Sequence, residues 1–499
     1  MHGILITRRM LGIPALVAGC AALLLPGCGF PDLEPPEQSL LRECDPADGF
    51  DDALCARIPV FEDRDRASGR TIDLRVVVYP AFDNDPRPDP LFVLVGGPGL
   101  GAVQASSSVA RALRKVREER HIVFVDQRGT GESNGLDCDL DTDDLNLALS
   151  PEHGIEHLKH CLSDYDSDLR HYTTPVAMDD LDEVRDKLGY SRINIWGGSY
   201  GTRAALVYLR RHGDRVRSVV LDGAVPPGMK IPLSFPEDMQ RALDLMLDAC
   251  EREDPCQERF PELRSQLAAV LDRLRKNPAR LTINHPRTGE PVSFSLARDA
   301  VVESLGAALY SPQTASMLPI LIEQAYSGDF AGLLALTFAL EPGEGGHLSL
   351  GMFFSVVCAE DLPWFDEDER RSRAFGSFVG ESLAKRWAQI CGFWPHGNVS
   401  AGFHDPVRSE VPALVLSGEL DPVTPPRWGE KLAAGLTNMR HVVVPGAAHG
   451  TSAEGCLPKL IAGFIRAGSA DGLDFGCVEG RERPPFFVTA SGPSMGAAR

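Results

Sequence analysis

Apolar residues along this chain fall into two rhythms. One is the short, nearly unbroken run that stops at glycine, proline, serine or aspartate: Leu91–Val95, Ile193–Trp196, Val219–Leu221, Val411–Leu416 and His441–Val444. Such runs suit strands of a parallel sheet covered on both faces, where neither side of the strand meets water. The other rhythm has the helical period. Thr202–Leu209 reads as a helix directly after the second run. Met239, Leu243, Met246 and Leu247 mark one apolar helix face, and Leu263, Leu267, Val270, Leu271 and Leu274 mark another. Helical periodicity predominates from about Val225 to His404, with one predicted hairpin, Arg280–Asn284 against Pro291–Ser295 around Arg287-Thr288-Gly289-Glu290. A helix opening at Pro151 behind Ser150 carries His153, His157 and His160, read as a solvated face rather than a metal site.

The strands run from about Ile72 to Asp222 and resume near Val411, so the helical stretch between them is an insertion. The prediction is an α/β protein with a mostly parallel sheet flanked by helices. Residues 44–224 and 405–499 form its core, and 225–404 form a mainly helical cap over the carboxyl edge of the sheet. Residues 1–28 read as a targeting segment: Arg8-Arg9 precede an apolar stretch, Leu11–Leu25, too short for a comfortable permanent span. Leu25-Pro26-Gly27-Cys28 resembles a bacterial lipobox, which predicts a lipid anchor at Cys28. Val17-Ala18-Gly19-Cys20 is a second match, Thr7–Leu11 faintly resembles a twin-arginine signal, and an ordinary cleaved signal is the alternative. Residues 29–43 read as a tether, and the tail from Glu479 as an extended segment.

Charge and cysteine content narrow the partners and the compartment. The formal net charge of −20 argues against nucleic acid and anionic membrane surfaces, leaving a lipid anchor as the expected membrane contact. Apart from Cys20 and Cys28, the cysteines fall into neighbouring twos: Cys44 and Cys55, Cys138 and Cys161, Cys250 and Cys256, Cys358 and Cys391, Cys456 and Cys477. Near-neighbour disulfides in an exported chain are the simplest reading. No C-x-x-C spacing occurs, so neither zinc nor any other metal or cofactor is expected.

The candidate chemistry lies where the strand runs stop. Gly197-Gly198-Ser199-Tyr200-Gly201 sits between a strand and a helix, the setting in which a serine is held on a sharp strained turn at a helix N-terminus. Such a hydroxyl needs a histidine to take its proton and a carboxylate to orient that histidine. Asp421, in Ser417-Gly418-Glu419-Leu420-Asp421-Pro422-Val423-Thr424-Pro425, and His449, in Pro445-Gly446-Ala447-Ala448-His449-Gly450, each follow a strand in the required order. Asp222 and Glu419 are rival acids. Leu91–Val95 runs into Gly96-Gly97-Pro98-Gly99-Leu100-Gly101, so the backbone N–H groups of Gly97 and Tyr200 are the expected oxyanion donors; Pro98 has none to offer.

Gly96-Gly97-Pro98-Gly99, Asp126-Gln127-Arg128-Gly129, Gly197–Gly201, Gly418–Pro425 and His449-Gly450 together resemble the proline iminopeptidase and tripeptidyl-aminopeptidase family of serine exopeptidases, nearest its secreted tripeptidyl-aminopeptidase-like branch. The resemblance implies an α/β-hydrolase fold, peptide substrates with free N-termini, and catalysis by Ser199, His449 and Asp421. It also implies that cap acids meet the substrate ammonium, with Glu360 first and Asp361 second in Val357–Phe365. One departure is Val95, where many relatives carry histidine. Asp126–Gly129 is expected to be a structural turn beside the glycine loop, with Arg128 paired to a carboxylate. The alternative activity is that of a carboxylesterase or lipase, since the same residues serve either acyl substrate.

Overall fold

The computed structural model describes residues 40–138, 151–284, 288–340 and 347–493; Cys20, Cys28, Ser150 and Arg287 lie outside them, as does most of the tether. Its main sheet comprises β1 (Arg42–Glu43), β2 (Leu54–Phe61), β3 (Thr71–Tyr79), β4 (Leu91–Leu94), β5 (Ile122–Val125), β6 (Ile193–Gly198), β7 (Val216–Asp222), β10 (Ala413–Gly418) and β11 (Met439–Val444). These are ordered β1-β2-β3-β5-β4-β6-β7-β10-β11. The first four are joined antiparallel, and every pairing from β5 through β11 is parallel. This is an α/β-hydrolase fold.

The apolar runs have the burial expected of a doubly covered sheet. Along β4, Phe92 and Leu94 enter the cluster on one face with Val123, Ile195 and Leu206, while Leu91 and Val93 enter the cluster on the other with Phe124, Leu414 and Phe464. Because both faces are dry, no position in the strand selects a polar residue. Observed strand limits differ slightly from the sequence reading: β10 continues to Gly418 rather than stopping at Leu416, because Ser417 and Gly418 still pair with Val443 and Val444 of β11.

Between β7 and β10 the chain is mainly helical, interrupted by the hairpin β8 (Ala279–Asn284) and β9 (Pro291–Leu296). Its helices divide their packing. Those of Phe235–Arg252, Leu263–Lys276, Arg298–Ala308 and Leu318–Tyr326 build a separate apolar core around Leu243, Leu267, Leu305 and Ile322. The later helices Leu350–Glu360 and Ser382–Cys391 instead send Met352, Phe354, Val356 and Ile390 into the sheet cluster. The disulfide Cys358–Cys391 joins those two helices. The four other disulfides, Cys44–Cys55, Cys138–Cys161, Cys250–Cys256 and Cys456–Cys477, also join nearest neighbours.

Within the described part of the tail, residues 480–493, the chain is fastened to the insertion. Phe486 and Val488 are buried in the insertion's own apolar cluster, Arg483 pairs with Glu253, and the Phe487 N–H donates to the Ser316 carbonyl at 3.0 Å.

Candidate active site

Parallel strands bring their carboxyl ends to one edge, and the candidate residues sit there. Gly197 of β6 pairs with Leu94 of β4, Gly198 with Asp222 of β7, Asp222 with Leu416 of β10, and Gly418 with Val444 of β11. The residues just past these ends are the glycine loop, Ser199, Gly223, the Asp421 loop and the His449 loop.

Ser199 has φ 55° and ψ −127°, in backbone space that L-residues avoid, and directly precedes the helix Tyr200–His212. The turn is held by the Ser199 N–H donating to the Asp222 carbonyl at 2.8 Å and by the Thr202 N–H and hydroxyl donating to the Ser199 carbonyl. The helix packs so closely on β4 that a Cβ at Gly201 would lie 2.1 Å from the Leu94 carbonyl oxygen. That contact explains the second glycine of the motif. The glycine loop abuts the serine: a Cβ at Gly96 would stand 3.0 Å from the Ser199 Cβ. Gly97 has φ +105°, with Gly99 N 2.7 Å from where its Cβ would be, so the loop closes only with glycine there.

Asp421 and His449 meet directly. The His449 Nδ1 lies 2.9 Å from Asp421 Oδ2. Asp421 is fully buried, and its Oδ1 accepts the N–H groups of Val423 and Thr424 at 2.9 and 2.7 Å. Burial opposes its charge, but His449 and these donors hold its pKa below the ordinary carboxylate value. Burial likewise opposes an imidazolium at His449, yet Asp421 and, more weakly, Asp222 raise the pKa above the ordinary histidine value. The rivals are engaged elsewhere. Asp222 accepts the N–H groups of Thr451 and Ser452 and the Thr451 hydroxyl, fixing the loop behind His449. Glu419 accepts the Gly446 N–H at 2.9 Å.

Two further residues touch the pair. The Thr424 hydroxyl donates to Asp421 Oδ2 at 2.7 Å and lies 3.1 Å from His449 Nδ1. Its signal was present in the Asp-x-x-Thr spacing, a common side-chain-to-backbone turn. Tyr310, on the insertion, stands edge-on to the imidazole with ring centroids 5.1 Å apart, and its carbonyl accepts the His449 N–H. No local pattern marks it, because tertiary packing alone brings it there.

Glu360 and Asp361, the acids expected at the substrate ammonium, have no exposed surface. Their charges are engaged within the fold. Arg203, also fully buried, donates to both oxygens of Asp361 at 2.9 and 3.1 Å and lies 3.7 Å from Glu360. Glu360 accepts the N–H and the hydroxyl of Thr174 at 2.6 and 2.9 Å.

The Asp126–Gly129 turn braces the glycine loop. Asp126 Oδ1 accepts the Val103 N–H at 2.8 Å and Oδ2 the Glu132 N–H at 3.1 Å. Burial pushes its pKa up to about 6. Arg128 is fully buried and forks onto Asp180 at 2.6 and 2.9 Å. Among the described residues, the one cluster with metal-ligand spacing is Cys138, His157 and Cys161, but the two sulfurs are joined as a disulfide and are not thiolate ligands.

Comparison with known proteins adds matches to two family models. Residues 89–253 match the family model for the α/β hydrolase fold, and residues 376–477 match the model for TAP-like proteins. The serine protease Hip1 of Mycobacterium tuberculosis is 26% identical over 455 residues, covering 84% of this chain and 86% of that protein. Carboxylesterase B of Mycobacterium tuberculosis is 27% identical over 420 residues, covering 77% and 78%. The tripeptidyl aminopeptidase of Streptomyces coelicolor is 23% identical over 419 residues, covering 77% and 74%.

Proposed function

We propose that this chain, an α/β hydrolase of the TAP-like group, is an exported serine exopeptidase acting near the free N-termini of peptides. The observation that carries the reading is the strained Ser199 at the same sheet edge as the Asp421–His449 pair, whose carboxylate is fully buried. In this mechanism the Ser199 Oγ attacks the scissile carbonyl carbon as His449 Nε2 takes its proton. Asp421 holds Nδ1 and stabilises the imidazolium. The carbonyl oxygen becomes an oxyanion that accepts hydrogen bonds from the N–H groups of Gly97 and Tyr200. Collapse of the tetrahedral intermediate breaks the C–N bond, and His449 returns the proton to the leaving amine. Water then attacks the acyl-enzyme by the same route and regenerates Ser199. No cofactor is needed.

The relatives named as a serine protease and a tripeptidyl aminopeptidase support a peptide substrate. The relative named as a carboxylesterase supports a second reading, ester hydrolysis by the same residues. A panel of free and N-acetylated peptide p-nitroanilides beside p-nitrophenyl esters separates them. The exopeptidase prefers free peptides, and equal activity on free and acetylated peptides refutes it. Ser199→Ala should abolish turnover while preserving the fold.

The five disulfides support an oxidising compartment. Among the described residues no helix is long and apolar enough to cross a membrane. Lipid attachment at Cys28 remains the proposed anchor, and the mass of the mature N-terminus tests it.

A further inference from the structure

The helix Leu350–Glu360 touches the site at both ends. Before its first turn, the Ser349 N–H donates to the Gly99 carbonyl at 2.9 Å, and Leu348 bridges Leu100 in antiparallel fashion. The insertion thus lies directly on the glycine loop that carries Gly97. At the last turn, Glu360 accepts two hydrogen bonds from Thr174, and the Thr174 hydroxyl is 2.6 Å from the hydroxyl of Tyr200. Tyr200 is the residue after Ser199 and the expected source of the second oxyanion donor. A single helix therefore meets both halves of the expected oxyanion hole, one by backbone contact and the other through a side-chain relay.

The proton count gives the relay a direction. The Thr174 hydroxyl has one proton. With Glu360 ionised, that proton goes to the carboxylate, so the Tyr200 hydroxyl must donate to Thr174. The chain runs Tyr200 to Thr174 to Glu360, and each bond polarises the next. It has no exposed member: Tyr200, Thr174, Glu360 and Asp361 are all buried. Two carboxylates share one guanidinium, Arg203, which forks onto Asp361 and also donates to the Met229 carbonyl. Glu360 is left without a bidentate partner of its own, and Thr174 is its main satisfaction. The other titratable group nearby is His404, whose Nε2 is 2.8 Å from the Glu360 carbonyl oxygen. Burial, only partly offset by Arg203, pushes the Glu360 pKa up to about 7, so the acceptor at the end of the relay is sensitive to its surroundings.

We propose that Glu360 is a positioning residue of the oxyanion hole: through Thr174 it fixes the Tyr200 side chain, and with it the backbone N–H beside Ser199. This rests on the reading of Ser199 as nucleophile. It assigns Glu360 a duty toward every acyl substrate, ester or peptide, rather than toward the ammonium of one class.

Glu360→Gln is the decisive variant. It keeps the shape but offers an amide donor where the relay needs an acceptor. Expected is a fall in kcat of about tenfold on both p-nitrophenyl acetate and a free tripeptide p-nitroanilide, with KM within about twofold, short of the roughly hundredfold cost of deleting an oxyanion donor. Thr174→Val should reproduce this loss, Thr174→Ser should retain activity, and the Glu360→Gln/Thr174→Val double variant should be no worse than either alone. A fluorophosphonate probe should still label Ser199 in Glu360→Gln, but more slowly. A rise in KM confined to free-amine substrates would overturn the proposal in favour of direct ammonium binding. Unchanged kcat in Glu360→Gln or Thr174→Val would overturn it outright. If Glu360→Gln does not fold, Thr174→Val against Thr174→Ser decides alone. Failure of the probe to label Ser199 in the wild-type protein would be a separate result, refuting the serine mechanism itself.

Discussion

Replacing Arg128 by alanine tests whether the Asp126–Gly129 turn is a brace or a substrate contact. Arg128 makes five hydrogen bonds without reaching solvent: two to Asp180 at 2.6 and 2.9 Å, and one each to the carbonyls of Glu62, His171 and Phe61 at 2.8, 3.0 and 3.1 Å. Removing one partner of a buried ion pair costs about 3–5 kcal/mol, because the other charge stays buried. Asp180 keeps a second partner, Arg64, at 2.7 Å, which pulls the charge term toward the lower end. Three stripped carbonyls pull it back up, giving about 4 kcal/mol in all. Unfolding entropy of about 2 cal/mol/K per residue over roughly 430 described residues gives about 0.9 kcal/mol/K, so Tm should fall by about 4 °C. Arg128→Lys should lose roughly half as much, since an ammonium reaches Asp180 but cannot form the fork. The assay is scanning calorimetry beside kcat/KM on the peptide and ester panel. Ratios between substrates should be unchanged. A variant with altered substrate preference and an unmoved Tm would refute the structural role.

Other predictions follow from the same contacts. Asp421→Asn should lower kcat by about 10⁴, as for orienting carboxylates of other triads, and should move the acid limb of the kcat/KM profile to lower pH, because the raised pKa of His449 depends on Asp421; an unmoved limb would dissociate the pair. The folded Glu360 pKa of about 7 lies above its ordinary value, so its contribution to stability is present below the ordinary carboxylate range and lost as pH rises through 7. Calorimetry from pH 5 to 8 should therefore show Tm falling more steeply in the wild type than in Glu360→Gln, and parallel slopes would refute the shift. Phe486→Ala should cost about 3–5 kcal/mol, since the ring is buried in the insertion's core, and a Tm within 1 °C of wild type would mean that the tail does not fasten there. Thiol titration of the exported protein under denaturing conditions should find none of the ten paired cysteines free.

By itself the sequence determined whatever depends on residues near one another in the chain. The unbroken run Leu91–Leu94 declared a strand buried on both faces, and the glycines at 197 and 201 around Ser199 declared a turn too tight for a side chain at either position. The order of Ser199, Asp421 and His449, each just past a strand end, placed all three at one edge, because parallel strands share a direction. Neighbouring cysteines gave the disulfide partners, since short loops close at the least entropic cost. The tertiary structure decided the rest. Tyr310 reaches His449 from the turn that follows the distant helix Arg298–Ala308, Phe486 leaves an unpatterned tail to complete a core, and Asp222 turns its carboxylate to Thr451 and Ser452 rather than to the imidazole. Glu360 and Asp361 show the division most clearly. Two adjacent acids in a sequence suggest a solvated or ligand-facing charge; only the arrival of Arg203 and Thr174 from separate helices makes it possible to bury both. Burial of a charge is stable when its partners converge in space, and no spacing within one segment records where those partners come from.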